Sequence, residues 1–201
     1  MSFSKELKKQ RWDDHRLYHH SRINQSLHFL SALTFVATYV LCFVNAALAA
    51  FLGWFIAMWI RQAGHFFFEP KGFDSVNQLE HDQKEAIKIG YNLKRKVVLL
   101  SVWIATPILL MLDPSALGLF KEESGRTFLE CLGMLWFALG IAAVIFRTVH
   151  LFFIMDVKTG CVWITKILTD PFHDLKMYYR APIKLLQGEL IDPMDHVAQK
   201  T

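Results

Sequence analysis

Cysteine is scarce in this sequence, and its spacing lacks the pairs that bind zinc. The three cysteines, Cys42, Cys131 and Cys161, form no CxxC pattern, and their odd number gives no reason to expect a disulfide framework. Basic residues outnumber acidic ones by 22 to 18, but they form no aromatic-interleaved patch of the kind that binds nucleic acid. The sequence therefore excludes a disulfide scaffold, a zinc-finger module and a nucleic-acid partner as first interpretations.

Apolar residues, in contrast, are abundant. Of the 201 residues, 53% are hydrophobic and 14% are aromatic, and the mean hydropathy is +0.27. Soluble globular domains contain roughly 45–50% apolar residues. The composition therefore favours a membrane protein over a soluble domain.

Long apolar segments predict an all-α integral membrane bundle of about four transmembrane helices. The segments cover residues of about 27–45, 47–67, 97–112 and 127–155. A short turn at Asn45 joins the first two segments and favours a tight helical hairpin. The third segment is short against the roughly 20 residues that a bilayer-spanning helix needs. We expect a bundle over residues 1–155 and a cytoplasmic or interfacial tail over residues 156–201.

The distribution of lysine and arginine predicts the orientation of this bundle. The leader, the loop between the second and third segments and the tail contain six basic residues each, whereas the loop between the third and fourth segments contains two. The positive-inside rule then puts both termini and the central loop in the cytoplasm, in a bacterial inner membrane or in the endoplasmic reticulum. A cleaved signal peptide is disfavoured, because the polar leader is long and three further apolar segments follow the first.

With this topology all histidines fall on the cytoplasmic side. They are His15, His19, His20, His28, His65, His81, His150, His173 and His196. A single histidine at the end of a span is typical of the membrane interface, where its amphipathic ring is accommodated. Several histidines at the same level on different spans instead indicate a polar cavity or a functional site.

Spacing selects among the histidines near the first span. If residues 20–28 form one helix, His20, Asn24 and His28 share a face. If the helix breaks and Ser21 caps the next one, His19 can turn toward the bundle instead. The sequence leaves both arrangements open.

A polar stripe ends the second span. Gln62, His65 and Glu69 recur at helical spacing on an otherwise aromatic segment. Gly64 beside His65 permits the close approach of a neighbouring helix, as small residues do within membranes. This stripe is a candidate partner for the histidines of the first span.

Two segments resemble the signatures of a known family. HHSRINQSLH, residues 19–28, is similar to a His-x-x-x-x-Asn-x-x-x-His signature, and GHFFFE, residues 64–69, is similar to a Gly-His-x-x-x-Glu signature. Both signatures are typical of the small membrane family of iron(II)-dependent 2-hydroxy fatty acid dioxygenases. In eukaryotes these enzymes lie in the endoplasmic reticulum and shorten 2-hydroxy fatty acids by one carbon during breakdown of phytosphingosine-type lipids.

The resemblance implies an Fe(2+) site in this chain. His19 or His20, together with His28 and His65, would ligate the iron, and Glu69 would be a further ligand or would orient one. The resemblance also implies a 2-hydroxy long-chain fatty acid and dioxygen as substrates in a lipid bilayer. The chemistry is consistent, since imidazole suits iron and non-haem oxygenases keep coordination positions open for dioxygen and substrate.

Two further positions are predicted near the site. We favour His81 over His150 as a fourth ligand, although the segment around His81 also fits a solvated helix. Arg147 shares a helical face with His150 and either binds a substrate carboxylate or Glu69, or extends to the interface.

Other interpretations also fit the histidines and the tail. The His15-x-x-x-His19-His20 box suggests a diiron desaturase or hydroxylase, although that chemistry normally requires several such boxes. A non-enzymatic protein that binds haem, or whose histidines line the interface, is a third possibility. In the proline-punctuated tail, residues 163–168 and 183–187 resemble short amphipathic pieces that lie on the inner membrane surface.

Overall fold

The computed structural model describes residues 2–69, 71–90, 93–120 and 125–194. Within these ranges the regular structure is helical, and extended pairing is limited to two isolated bridges. The helices are α1 (Phe3–Tyr18), α2 (Arg22–Leu41), α3 (Ala46–Ala50), a π-helical segment (Phe51–Met58), α4 (Trp59–Phe67), α5 (His81–Ile87), α6 (Leu93–Leu112), α7 (Phe128–Ile154), α8 (Val157–Tyr178) and α9 (Ala181–Leu186). The predicted all-α class is confirmed.

Among the described residues, three helical stretches are long and apolar enough to cross a membrane. They are Ala46–Phe67, Lys94–Leu112 and Phe128–Ile154, and they coincide with the second, third and fourth predicted segments. The first predicted segment lies in α2, which is also long enough but carries several polar residues in its N-terminal half. The structure therefore supports three spans by length and composition, and a fourth span through α2 stays a prediction.

The helix α2 runs antiparallel to the stretch Ala46–Phe67 along its whole length. Asn45 forms the predicted turn and caps α3, since its side chain accepts a hydrogen bond from the Leu48 amide at 3.0 Å. Farther along, the Ser31 hydroxyl donates to the Ala57 carbonyl at 2.8 Å. At the far end Gly64 lies directly against Asn24. This hairpin brings residues near positions 24–28 to the level of residues 64–65.

Stacked tryptophans form the apolar core between the three spans. The ring centroids of Trp103 and Trp136 lie 4.9 Å apart, and those of Trp54 and Trp103 lie 6.2 Å apart. Each of these indoles is almost fully buried. Because each span contributes one ring, this stack fixes the spans relative to one another and leaves the polar ends of the helices to form the site.

The predicted tail folds onto the bundle. Residues 163–168 do not form a separate piece, because they lie inside α8, a helix of 22 residues that packs against α1, α2 and α7. Asp156 begins this helix by accepting a hydrogen bond from the Thr159 amide at 2.7 Å. Pro171 lies within the helix and removes one internal hydrogen bond without ending it.

Residues 189–192, which we call the C-terminal strap, lie against the start of α2. The Arg22 guanidinium binds the Asp192 carboxylate at 2.6 Å and also pairs with Glu189. The Asp192 amide donates to the His20 carbonyl at 2.7 Å, and the Arg22 amide donates to the Leu190 carbonyl at 2.9 Å. The strap therefore holds the short link between α1 and α2.

Candidate metal centre

The helical structure is interrupted between α1 and α2. Of the two arrangements that the sequence left open, a continuous helix over residues 20–28 and a break capped by Ser21, the structure has the break. Helix α1 ends at Tyr18, and Ser21 is the N-cap of α2 because its hydroxyl accepts a hydrogen bond from the Asn24 amide at 3.4 Å. The Asn24 side chain donates to the Tyr18 carbonyl at 2.9 Å, and the Gln25 side chain donates to the His19 carbonyl at 2.7 Å. These bonds satisfy carbonyl groups that the end of α1 leaves open, so the break is a well-paired structure.

Three histidines from three separate elements meet in the bundle. His19 comes from the link, His28 lies two turns into α2, and His65 lies near the end of α4. Their ring centroids are 4.1 Å (19 to 28), 4.9 Å (28 to 65) and 5.5 Å (19 to 65) apart. One ring nitrogen from each lies within 4.8 Å of the others, a spacing at which a single metal ion can be held. We call these three residues the histidine cluster.

Each ring of the cluster has a polar neighbour at its Nδ1 atom. His65 Nδ1 lies 2.7 Å from the Glu69 carboxylate, and His19 Nδ1 lies 2.8 Å from the Tyr178 hydroxyl. His28 Nδ1 lies 3.5 Å from the Asp174 carboxylate. A partner at Nδ1 fixes the ring orientation and leaves Nε2 available as a ligand atom, as in many metal sites of proteins.

Several polar atoms of the cluster are buried without a partner. Among the described residues, Nε2 of His19, both ring nitrogens of His28 and Oδ1 of Asn24 make no hydrogen bond. Such atoms are rare in folded proteins because an unpaired buried polar group costs free energy. Burial and the neighbouring His28 hold the pKa of His19 well below its ordinary value, so this ring is neutral, the form that binds metals. The unpaired nitrogens of His19 and His28 are therefore donor atoms that could hold a metal ion.

His20 points away from this cluster. Its Nε2 donates to the Arg16 carbonyl at 2.5 Å and lies 3.6 Å from the Asp74 carboxylate. Burial alone would raise the pKa of Asp74, but hydrogen bonds from Asn77 and the nearby His20 and Lys84 outweigh burial and lower it. Since the break turns His20 toward this loop, the structure does not bring it together with the other predicted ligands.

His81, the predicted fourth ligand, also lies outside the cluster. It begins α5 and lines a small cavity of about 20 Å³ together with His65, Glu69 and Lys96. Its Nδ1 is buried without a partner among the described residues. His81 is therefore close to the outer side of His65, and its role as a ligand stays a prediction.

Glu69 supports the cluster from the side of this small cavity. Besides His65, its carboxylate lies 3.5 Å from the Lys88 ammonium. Burial raises the pKa of Glu69, and the positive charges of Lys88 and Lys96 partly offset that effect. These contacts fit the predicted role of a residue that orients His65 better than that of a direct ligand.

Arg147 makes other contacts than the two carboxylate partners we predicted for it. Its Nε donates to the Ile89 carbonyl at 3.1 Å, and its Nη1 lies 2.9 Å from His150 Nδ1. The guanidinium is buried, so it does not extend to the interface. Arg147 and His150 thus hold the segment before α6, and a catalytic role for Arg147 stays a prediction without support from these contacts.

The sequence did not reveal the contribution of α8. Asp174 and Tyr178 face His28 and His19, and Asp174 also accepts a hydrogen bond from Arg61 at 2.7 Å. The available signal was the spacing of Asp170, Asp174 and Tyr178, which repeats every four residues and puts them on one helical face. Because prolines punctuate this stretch, it did not look like a long helix.

A large cavity of about 590 Å³ extends from the histidine cluster between α2, α7 and α8. His19 and His65 lie in its wall. Most of the lining is apolar and includes Trp54, Met58, Leu99, Phe137, Val144 and Trp163. Its volume and lining are typical of small-molecule sites, and they suit a long alkyl chain.

These features define a class of protein: a helical membrane-type protein with a buried histidine cluster beside an apolar cavity. Residues 6–78 match the model of the family described as 2-hydroxy-palmitic acid dioxygenase Mpo1-like. The match confirms the resemblance predicted from the sequence, and it includes all three histidines of the cluster and Glu69. Neither a curated protein nor a solved structure matches the chain.

Proposed function

We propose that this protein is an iron(II)-dependent dioxygenase that cleaves 2-hydroxy fatty acids between C1 and C2. The observation that carries the proposal is the meeting of His19, His28 and His65 inside the segment that matches the family, with unpaired ring nitrogens on His19 and His28. The family description supplies the substrate class and the reaction type.

The donor set fits iron(II). His19, His28 and His65 would hold the ion, since imidazole is a good ligand for iron and three such ligands leave positions open. Tyr178, Asp174 and Glu69 would keep the rings in place. When bound, iron would supply the activation of dioxygen beside the 2-hydroxy acid.

The proposed reaction needs no electron donor besides its substrate. A 2-hydroxy acid and one dioxygen give an acid one carbon shorter, carbon dioxide and water. The bond between C1 and C2 breaks, C2 becomes the new carboxyl carbon, and C1 leaves as carbon dioxide. Dioxygen accepts all the electrons released, so the balance requires no 2-oxoglutarate and no reductase.

The chain's own residues would orient the substrate and keep out water. The alkyl chain would occupy the large cavity, whose wall is mostly apolar, and the reacting end would lie against the histidine cluster. Burial of His19 and His28 excludes solvent from this end. Electrostatic interactions between the protein and the reacting groups are stronger in such a water-poor site.

We expect the site at the cytoplasmic end of a bundle of four spans. Helix α2 lies alongside Ala46–Phe67 over its full length, so it would cross the bilayer with that stretch. Most polar residues of α2, among them Asn24, Gln25 and His28, are buried inside the protein, so they would not face lipid, and they account for the lower hydropathy of this helix. The positive-inside rule then gives both termini to the cytoplasm.

The two other interpretations gain less support. Among the described residues, one group of side chains could hold a metal ion, and it consists of three histidines. A diiron centre would need further ligands for a second ion, so this group supports the diiron interpretation less well. The three rings contact one another at centroid distances of 4.1–5.5 Å, which leaves no gap for a porphyrin between them. Metal content and an absorption spectrum of the purified protein separate the three cases.

The test is a turnover assay on the full chain in detergent. Protein loaded with iron(II) is incubated with 2-hydroxypalmitic acid under air, and mass spectrometry detects the acid that is one carbon shorter. We expect product in the wild type and none after His28→Ala or His65→Ala. The matched control is His173→Gln, a histidine on α8 outside the cluster, which should retain activity.

Folding is monitored separately for each variant by thermal unfolding. If a folded His65→Ala variant turns over the substrate normally, the proposed site is wrong. If the iron-loaded wild type gives no shortened acid, the proposed reaction is wrong.

A further inference from the structure

Several basic side chains lie in the wall of the large, mostly apolar cavity. Four of them line the cavity: Arg61, Lys88, Lys96 and Lys166. A long-chain carboxylic acid would gain most from a cation that has no acidic partner within the protein, because a paired cation is already neutralised. The acidic partners of each cation within the protein therefore indicate which of the four is available to a bound carboxylate.

Three of these cations already bind carboxylates. Arg61 pairs with Asp174 at 2.7 Å. Lys166 pairs with Asp170 at 2.7 Å and also with Asp14. The Lys88 ammonium lies 2.9 Å from Glu85 and 3.5 Å from Glu69, and it also lies over the Tyr18 ring. Lys88 and Lys166 are thus each paired with two carboxylates and Arg61 with one, so the charge of all three is already compensated within the protein.

Lys96 differs from these cations. In the part of the chain that the structure describes, its ammonium has no hydrogen-bond or ion-pair partner. It lies near the start of the span Lys94–Leu112 and is partly buried. It lines the large cavity and also the small cavity beside His65 and Glu69. An ammonium in such a place is costly to leave without an anion.

We propose that Lys96 binds the carboxylate of the acyl ligand and makes the site selective for free fatty acids over their esters and alcohols. The position beside His65 puts this anchor at the reacting end of the cavity. Lys96 would thus take the role that the sequence suggested for Arg147, which does not line this cavity. The identity of the reaction rests on the proposed function, but the binding of a long-chain carboxylate does not.

The test is a binding measurement on the metal-free full chain in detergent. Trp54 and Trp163 line the cavity, so a mid-chain dibrominated stearic acid should quench tryptophan fluorescence when it binds. Its methyl ester is the neutral probe of the same length. We expect the wild type to bind the acid more tightly than the ester.

The variant Lys96→Gln should weaken acid binding by about ten- to hundredfold, the effect of one charge-assisted hydrogen bond, and leave ester binding unchanged. Lys96→Arg should keep the preference for the acid, because it retains the charge. The matched control is Lys94→Gln, an exposed lysine on the same helix, which should bind both probes like the wild type.

The inference fails if Lys96→Gln retains the preference for the acid, or if it weakens acid and ester binding equally. Its failure is distinguishable from failure of the proposed function. If the wild type shows no turnover, but the Lys96→Gln variant loses the preference for the acid, the proposed reaction is wrong and the role of Lys96 is supported. If the Lys96→Gln variant turns over 2-hydroxypalmitic acid with an unchanged KM, the role of Lys96 as the carboxylate-binding residue is wrong and the proposed reaction is supported.

Discussion

Replacing Gly64 with alanine should destabilise the protein and separate the histidine cluster. A β-carbon at this position would lie 2.1 Å from Oδ1 of Asn24 and 3.6 Å from Cδ2 of His28. The first distance is far below any real contact, so either Asn24 or α4 must move. Asn24 is completely buried, and its side chain donates to the Tyr18 carbonyl at 2.9 Å. The clash therefore strains the joint between α1, α2 and α4.

The magnitude follows from two opposing effects. Alanine is favoured over glycine within a helix by about 1 kcal/mol, so helix propensity alone predicts stabilisation. Overpacking costs about 1–3 kcal/mol, and loss of the buried Asn24 hydrogen bond adds about 1 kcal/mol or more. We expect a net destabilisation of roughly 1–3 kcal/mol. The sign of the change thus separates close packing from helix propensity.

The assay combines thermal unfolding in detergent with titration by cobalt(II), whose visible absorption reports binding to nitrogen ligands. Gly64→Ala should unfold at a lower temperature and bind cobalt more weakly. Gly72→Ala is the matched control, because its β-carbon would meet nothing within 4 Å. Adding Asn24→Ala to Gly64→Ala should recover part of the loss, since it removes the group that clashes. A Gly64→Ala protein that is as stable as the wild type and binds cobalt equally well would refute the reasoning.

Three further predictions test the surroundings of the cluster. Tyr178→Phe removes the hydroxyl that holds His19 and should weaken cobalt binding about tenfold or more, and an unchanged affinity would contradict that role. Asp192→Asn should lower the free energy of unfolding by about 2 kcal/mol. The loss is smaller than for a fully broken buried ion pair because Arg22 keeps its pairing with Glu189. A variant as stable as the wild type would show that this contact of the strap contributes little. Asp74 has a lowered pKa, so its stabilisation is present above its ordinary pKa and is lost as the pH falls through the lower folded value. Asp74→Asn should therefore be less stable than the wild type near neutral pH, and its stability should fall less than that of the wild type as the pH drops below about 4. If the melting temperatures of the two proteins change in parallel with pH, this prediction is wrong.

The spans and two of the clustered histidines could be predicted from local sequence. Long apolar stretches gave the positions of three helices to within a few residues, because burial in lipid requires such stretches. His28 and His65 stood at helical spacing from Asn24 and Glu69, and the hairpin at Asn45 brings them to one level. These features depend on residues that are close in the chain.

The rest depends on contacts between distant residues. Which of His19 and His20 faces the cluster depends on the break between α1 and α2, which the strap stabilises through Arg22, 170 residues before Asp192. The contribution of Tyr178 to His19 spans 159 positions, and the helix that carries it continues through Pro171 because it packs against three others. No local pattern contains such information.

The strap and α8 also set the order in which the site is completed during synthesis. The three histidines emerge from the ribosome early, but Asp174, Tyr178 and Asp192, which hold two of them and the link, emerge more than a hundred residues later. The histidines of the cluster are therefore made well before the residues that hold them in place. On the proposed function, tight metal binding would follow completion of the strap, and an unfinished chain would present the three histidines without the contacts that orient them.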